Sequence, residues 1–251
     1  MNVATGMTGV ALFFAAACGA QAPAFEVASV KPARPDATAR SLTQNPGARL
    51  TTSNATVKML IMLAYQVMPD QILGGPKWLE SDGFDIDAKG ADPGVTQAQF
   101  RHMIQSLLAD RFQLKVHRST KELPVYALVL AKNGPKLAEA KDDDPEVSMR
   151  IEGPGQMTGV KATMSMFASA LSRPLQRQVI DETGLKGAYN FKLQFVPDRN
   201  PSKPGEDGVI PTGDGPSIFT ALQEQLGLNL KTSKGPVEVL VIDHAEKPTP
   251  N

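Results

Sequence analysis

The 251-residue chain has one cysteine, one tryptophan and three histidines. The cysteine, Cys18, lies in a stretch that reads as targeting sequence, so the body of the protein has no thiol. Disulfide staples, a thiol nucleophile and cysteine-ligated zinc or iron–sulfur sites are excluded together. Excess charge is also lacking. Lys+Arg and Asp+Glu both number 26, so no net field favours nucleic acid or an anionic membrane surface. No G-x-S-x-G elbow, S-x-x-K, P-loop, G-x-G-x-x-G or H-E-x-x-H is present. The common serine hydrolases, penicillin-binding enzymes, nucleotide binders and zinc peptidases therefore have no local signature, and no cofactor is expected.

Charge is absent altogether from residues 1–22, where Val10 to Ala17 forms an apolar run too short to span a bilayer. With Ala20-Gln21-Ala22 as an A-x-A cleavage pattern, this stretch reads as a signal peptide, which predicts a secreted or periplasmic protein. Ala15-Ala16-Ala17-Cys18-Gly19 loosely resembles a lipoprotein box, so acylation of Cys18 and a lipid-anchored product is the alternative. The mature chain is expected to have no transmembrane segment.

Beyond residue 22 the patterning predicts short strands and amphipathic helices. Strands are expected at Phe25 to Val30, Arg49 to Thr52 and Phe84 to Ala88, with a polar loop as far as Ala48. A helix from Ala55 to about Val67 is expected to be capped by Ser53 or Asn54. Thr96 and Gln99 make a capping box, and Phe100, Met103, Ile104, Leu107 and Leu108 form one stripe of a helix ending near Asp110. Leu114 to Val116 and Pro124 to Ala131 read as two strands joined by a turn. The charged stretch around Asp142-Asp143-Asp144 reads as a linker at 141–154 between lobes at 23–140 and 155–251.

In the second lobe the same reading gives a strand at Gln156 to Val160, a helix capped by Thr163 and ended by Pro174, and an alternating strand Tyr189 to Phe195. A Pro/Gly/Asp loop runs from Pro197 to Gly215, and Pro216 is placed at the first position of a helix closed by Gly227. Strands Asn229 to Thr232 and Val237 to Ile242 are expected on either side of a turn at Ser233-Lys234-Gly235-Pro236. The lobes look duplicated: Leu114-Lys115 matches Leu230-Lys231, and Ala55-Thr56 matches Ala162-Thr163. The expected fold class is α+β, with two related lobes of helix-then-antiparallel-strand units and the helices packed on one sheet face.

Several ordered motifs carry a resemblance: FEVASVKP from Phe25, GGPKWL from Gly74, FDIDAK from Phe84, LLADRFQLKVHR from Leu107 and LPVYALVLAKNGPKL from Leu123. VIDETGLKGAYNF from Val179 and the text from Pro216 to Asp243 extend it across the mature chain. The set resembles a large paralogous family of secreted proteins of unknown function from soil bacteria. Similar domains are fused to membrane zinc-peptidase sensors of the penicillin-responsive type. The resemblance thereby implies an extracytoplasmic sensing or binding role, by analogy alone.

Few residues are candidates for a site. His102 lies beside the apolar stripe of its helix and reads as a solvated helix-face residue. His117 falls on a strand, and His244 follows Asp243 at the end of the last one. No two histidines have metal-pair spacing, so no metal is expected. Trp78, just after the Gly74-Gly75-Pro76 turn, either closes the core or presents its ring to a ligand. The Asp142 to Asp144 run lacks the glycine and distal glutamate of a calcium loop. Three functional readings stand. One is a non-enzymatic binding or sensing module for an envelope protein, peptide or glycan. Another is a secreted hydrolase with a Ser-His-Asp type site using His117 or His244 as base. The last is an envelope protein anchored through Cys18.

Overall fold

A computed structural model describes residues 24–153, 155–197 and 215–248. The stretch expected to be a signal peptide, Cys18 and the interior of the loop expected from Pro197 to Gly215 lie outside them. The first half runs β1 (Val27–Pro32), β2 (Ser41–Asn45), β3 (Arg49–Thr56), α1 (Val57–Tyr65), β4 (Ile72–Gly74), α2 (Trp78–Ser81), β5 (Gly83–Lys89), α3 (Gln97–Phe112) and β6 (Lys115–Leu130). The second runs β7 (Ala138–Glu139), β8 (Ser148–Ile151), β9 (Gln156–Ala162), α4 (Met164–Leu175), β10 (Val179–Asp181), β11 (Tyr189–Gln194), α5 (Ile218–Ala221) and β12 (Leu228–His244). The class is α+β, as expected.

An outer sheet of order β1-β5-β3-β2 is antiparallel throughout. On β5, Phe84, Ile86 and Ala88 are buried, which is the alternation that a sheet with one covered face requires. β3 bulges between Thr52 and Ala55. The buried Thr52 hydroxyl fills the gap, donating to Phe84 O at 3.0 Å and accepting from the Ile86 N–H at 2.9 Å. Asn54 takes φ +49° at the bulge, its N–H donating to Asp85 Oδ1 and its side-chain amide to Ala37 O. Asn54 is therefore a bulge residue and Thr56 is the α1 cap, accepting from the Met59 N–H. This moves the helix start from the expected Ala55 to Val57. β2 was missed inside the stretch read as loop; its half-buried Leu42 supplies the apolar contact that aligns it on β3.

The capping box of Thr96 and Gln99 starts α3 as expected, but the helix continues past Asp110 to Phe112. Phe112 is wholly buried and completes the stripe, and Gln113 then closes the helix at φ +49°.

The middle sheet has order β10-β6-β12-β4 and joins the two halves. Two turns expected here do not exist. β6 runs unbroken through Pro124, and β12 unbroken through Lys234-Gly235-Pro236, and the two pair antiparallel from Leu228↔Leu130 to His244↔Lys115. The prolines are tolerated because each faces the ribbon's outer edge. Tyr126 N–H donates outward to Gln178 O, so Pro124, two residues earlier, shares that edge. The Gln71 side chain reaches Glu238 O on the outer side of β12, which puts Pro236 in the same outward phase. No ladder bond is lost at either position. The flanking strands are short and parallel, β10 beside β6 and β4 beside β12, an exception to the expected antiparallel pattern.

A third sheet has order β7-β11-β9-β8. Its strand β8 lies inside the stretch read as linker, where Met149 packs on the core below. Thr163 caps α4 as expected; Pro174 sits in its last turn, and the helix ends at Gln176 with φ +46°. Ser217 caps α5, so its first position is Ile218 and not the expected Pro216, and the helix continues as a π turn Leu222–Leu226 closed by Gly227. Two hydrophobic clusters result. One gathers α1, α3 and β5 with Leu240 and Ile242 of β12. The other gathers α4, α5 and β11 with Tyr126 and Leu128 of β6. Each long strand serves both.

Candidate ligand cleft

Pro76 fixes the chain direction after β4, and Gly74 and Gly75 turn it at φ +75° and +77°, values that side chains disfavour. The turn delivers α2 against α1 and leaves a cleft of about 410 Å³ between α1, the β4 turn, α2 and the end of β12. Ile61, Ile72, Leu79 and Ile242 form an aliphatic floor, while Lys58, Lys77, Glu80 and Ser81 stand at the rim. This volume falls in the lower part of the range used by small-molecule sites.

Gly75 packs directly on the floor. A Cβ there would stand 2.7 Å from Leu79 Cδ1 and 3.1 Å from Ile242 Cδ1 and Cγ2, so any side chain would displace the floor. At the rim, Lys58 Nζ is paired with Glu80 Oε1 at 2.7 Å, bridging α1 and α2. The Ser81 hydroxyl donates to Asp82 Oδ1 at 2.7 Å.

Trp78 belongs to α2, but its ring turns away from the cleft. It stacks on Phe112 with ring centroids 6.4 Å apart and meets Phe84 edge-on at 6.3 Å, as part of the first core. Tyr65 is likewise half-buried against that core, and burial raises its phenol above the ordinary value, opposed by the Arg118 charge.

The histidines separate. His102 Nδ1 contacts Gln105 on the exposed face of α3. His117 on β6 lies beside Asp243 on β12, its Nδ1 2.9 Å from both carboxylate oxygens. His244 Nε2 contacts Glu246 instead. A Ser-His-Asp site needs a hydroxyl on the far nitrogen of its imidazole; the hydrogen bonds of His117 among the described residues all go to Asp243. In the acidic run, Asp144 Oδ2 accepts from the Lys141 N–H and from the Asn190 side chain, both at 2.6 Å, and these bonds hold its carboxyl below the ordinary range. Among the described residues no cluster of three or more His, Cys, Asp or Glu is placed to hold a metal ion. No described helix is long and apolar enough to cross a membrane.

After β12 the chain folds back past the cleft's flank, where Lys247 Nζ meets Asp82 Oδ2 at 2.7 Å. The bond to Lys247, and after it the one from Ser81, lowers the Asp82 carboxyl below its ordinary value. A lowered carboxyl contributes stability that is fully present above the unfolded value, ~3.9, and is lost as pH falls through the folded one. Lys247→Ala is expected to raise the Asp82 carboxyl toward its ordinary value in an NMR carboxyl titration. An unchanged titration would show that the tail contact does not form in solution.

The fold is thus an α+β body bearing a cleft beside the Gly74-Gly75-Pro76 turn. A family profile described as "Protein of unknown function (DUF3738)" matches residues 58–245, and the chain belongs to that family. No curated protein matches the chain. No solved structure matches it either.

Sequence reading had marked Trp78 and the turn before it but not Lys58, Lys77 or Ile242. The only local signal was the pair of glycines before Pro76. The floor is assembled from distant positions: the parallel pairing of β4 with β12 brings Ile72 and Gly74 to Ile242, and packing of α1 in the same core adds Ile61.

Proposed function

We propose that the protein is an exported, non-enzymatic binding or sensing module of the cell envelope, and that the cleft behind Gly75 is its ligand seat. The carrying observation is the cleft itself, with an aliphatic floor against which packs a glycine that has neither the backbone angle nor the room for a side chain. The uncharged apolar stretch in residues 1–22 supports export. A ligand that binds only the folded chain raises its melting temperature. A thermal-shift screen of small metabolites, peptides and sugars on the full chain is expected to give stabilising hits that Gly75→Val abolishes. A screen whose hits survive Gly75→Val would sink this seat.

We also infer that the two halves are copies of one unit. Support comes from the shared order of the outer sheets, β1-β5-β3-β2 and β7-β11-β9-β8. Asn54 and Lys161 both take positive φ, and their N–H groups donate to Asp85 and Asn190 on the neighbouring strand. Thr56 and Thr163 then cap the helices that follow. Gln113 and Gly227 close the helix before each long strand, which aligns Leu114 with Leu228 instead of the expected Leu230. In this alignment Gly74-Gly75-Pro76 corresponds to Asp181-Glu182-Thr183, where Asp181 Oδ1 accepts from the N–H and hydroxyl of Thr183 and closes the turn on itself. The open glycine turn is peculiar to the first copy, as expected for a specialised seat.

The pairing of His117 with Asp243 favours a second reading, a secreted hydrolase with His117 as its base. Turnover of an ester, glycoside or peptide substrate that His117→Ala abolishes would replace the binding reading. Turnover unaffected by that change would leave the pair as a surface contact across the ribbon.

A further inference from the structure

We infer that the ligand of this cleft is a small aliphatic carboxylate, its chain on the isoleucine and leucine floor and its anionic head on Lys77. The inference rests on the cleft being the ligand seat and adds the chemistry of what it takes.

The floor selects the body. Half-buried Ile72 and the edges of Leu79 and Ile242 present branched aliphatic carbon over the buried Ile61, and the Trp78 ring is turned into the core against Phe84 and Phe112. No aromatic face is turned toward the cleft by Trp78, and the aliphatic lining suits a hydrocarbon. About 410 Å³ accommodates a short chain and not a polymer.

The rim selects the head. Two lysines and one glutamate line it, and Lys58 is neutralised by Glu80 across the mouth. The Lys77 ammonium has no hydrogen-bond or ion-pair partner among the described residues, so the rim carries one uncompensated positive charge beside an apolar surface. Ser81 spends its hydroxyl on Asp82 and does not compete. An ammonium next to a low-dielectric surface favours an anion over a neutral head, because a charge-assisted hydrogen bond is roughly twice as strong as a neutral one.

The test uses octanoate, octan-1-ol and octylammonium as probes on the full chain, by calorimetric titration and by NMR shifts of the Gly74 and Gly75 amides. Octanoate is expected to bind about tenfold more tightly than octanol, and octylammonium more weakly than either. Lys77→Gln, at an exposed position where the backbone carbonyl and not the ammonium is hydrogen-bonded, is expected to lower octanoate affinity to the level of octanol and leave octanol unchanged. Glu80→Gln frees Lys58 and is expected to strengthen octanoate binding. N-acetyl-leucine, which carries the same chemistry as a peptide C-terminus, separates a peptide source from a free acid by binding more tightly or more weakly than octanoate. Equal binding of octanol and octanoate, or an octanoate affinity untouched by Lys77→Gln, would overturn the carboxylate inference while leaving the cleft as the seat. Absence of shifts at Gly74 and Gly75 with every probe would overturn the carboxylate inference. If the screen hits also bind elsewhere, the seat itself falls with it.

Discussion

A fragment confined to residues 58–245, the span of the family match, is expected to be unfolded. That span begins one residue inside α1, behind the Thr56 cap, and leaves out β1, β2 and β3. β5 sits between β1 and β3, so it would lose both neighbours and become a strand with two open edges. Phe84, Ile86 and Ala88 would lose the buried Val30, Ala48 and Leu50 that share their core. Each large apolar side chain returned to water costs about 1.5–3 kcal/mol. Phe84 and Ile86 alone account for about 3–6 kcal/mol, which reaches the lower part of the roughly 5–15 kcal/mol that keeps a domain folded before the lost strand pairing is added. Far-UV circular dichroism and urea titration are the measurements. A fragment that melts cooperatively near the midpoint of the full chain would contradict this placing of the sheet.

Phe112→Ala is expected to cost about 3–5 kcal/mol of stability. Phe112 is wholly buried, meets Phe84 edge-on at 5.2 Å and stacks on Trp78. Since Trp78 is the only tryptophan, its emission reports the site directly, and it should shift to the red as water reaches the ring. Phe219→Ala is the contrast. Phe219 is 43% exposed and touches Tyr126 edge-on, so its loss should cost about 1 kcal/mol. Equal urea midpoints for the two variants would refute the burial assigned to Phe112.

Where a feature depends on neighbours along the chain, the sequence revealed it. The Thr96–Gln99 box and the stripe through Phe100, Ile104 and Leu108 became α3, because capping and helical periodicity act within a few residues. The alternation of Tyr189, Phe191 and Leu193 became β11 in the same way. Features set by distant partners were hidden. Lys234-Gly235-Pro236 has the composition of a turn, yet it stays extended because it lies opposite Glu122, Leu123 and Pro124 in a ladder fixed from both ends. Asn54 looked like a helix cap, but Asp85, on another strand, claims its N–H for a bulge. The cleft was illegible for the same reason. Lys58, Gly75 and Ile242 form no motif; they meet through the sheet. His117 and Asp243 were each noticed singly, and only the register of β6 with β12 made them a pair.

The β6 and β12 ribbon also bears on how the protein is made. Its strands are on the order of 100 residues apart, and at synthesis rates of roughly 5–20 residues per second the first waits about 5–20 s for the second. During that wait Val125, Tyr126, Ala127 and Leu128, all buried in the finished fold, have no β12 to pair with. An unpaired apolar strand is a template for the wrong neighbour. Lys121 and Glu122 on one side of that run and Lys132 and Lys136 on the other place charge at its flanks, the arrangement that restrains such a strand from associating with another chain before its own partner arrives.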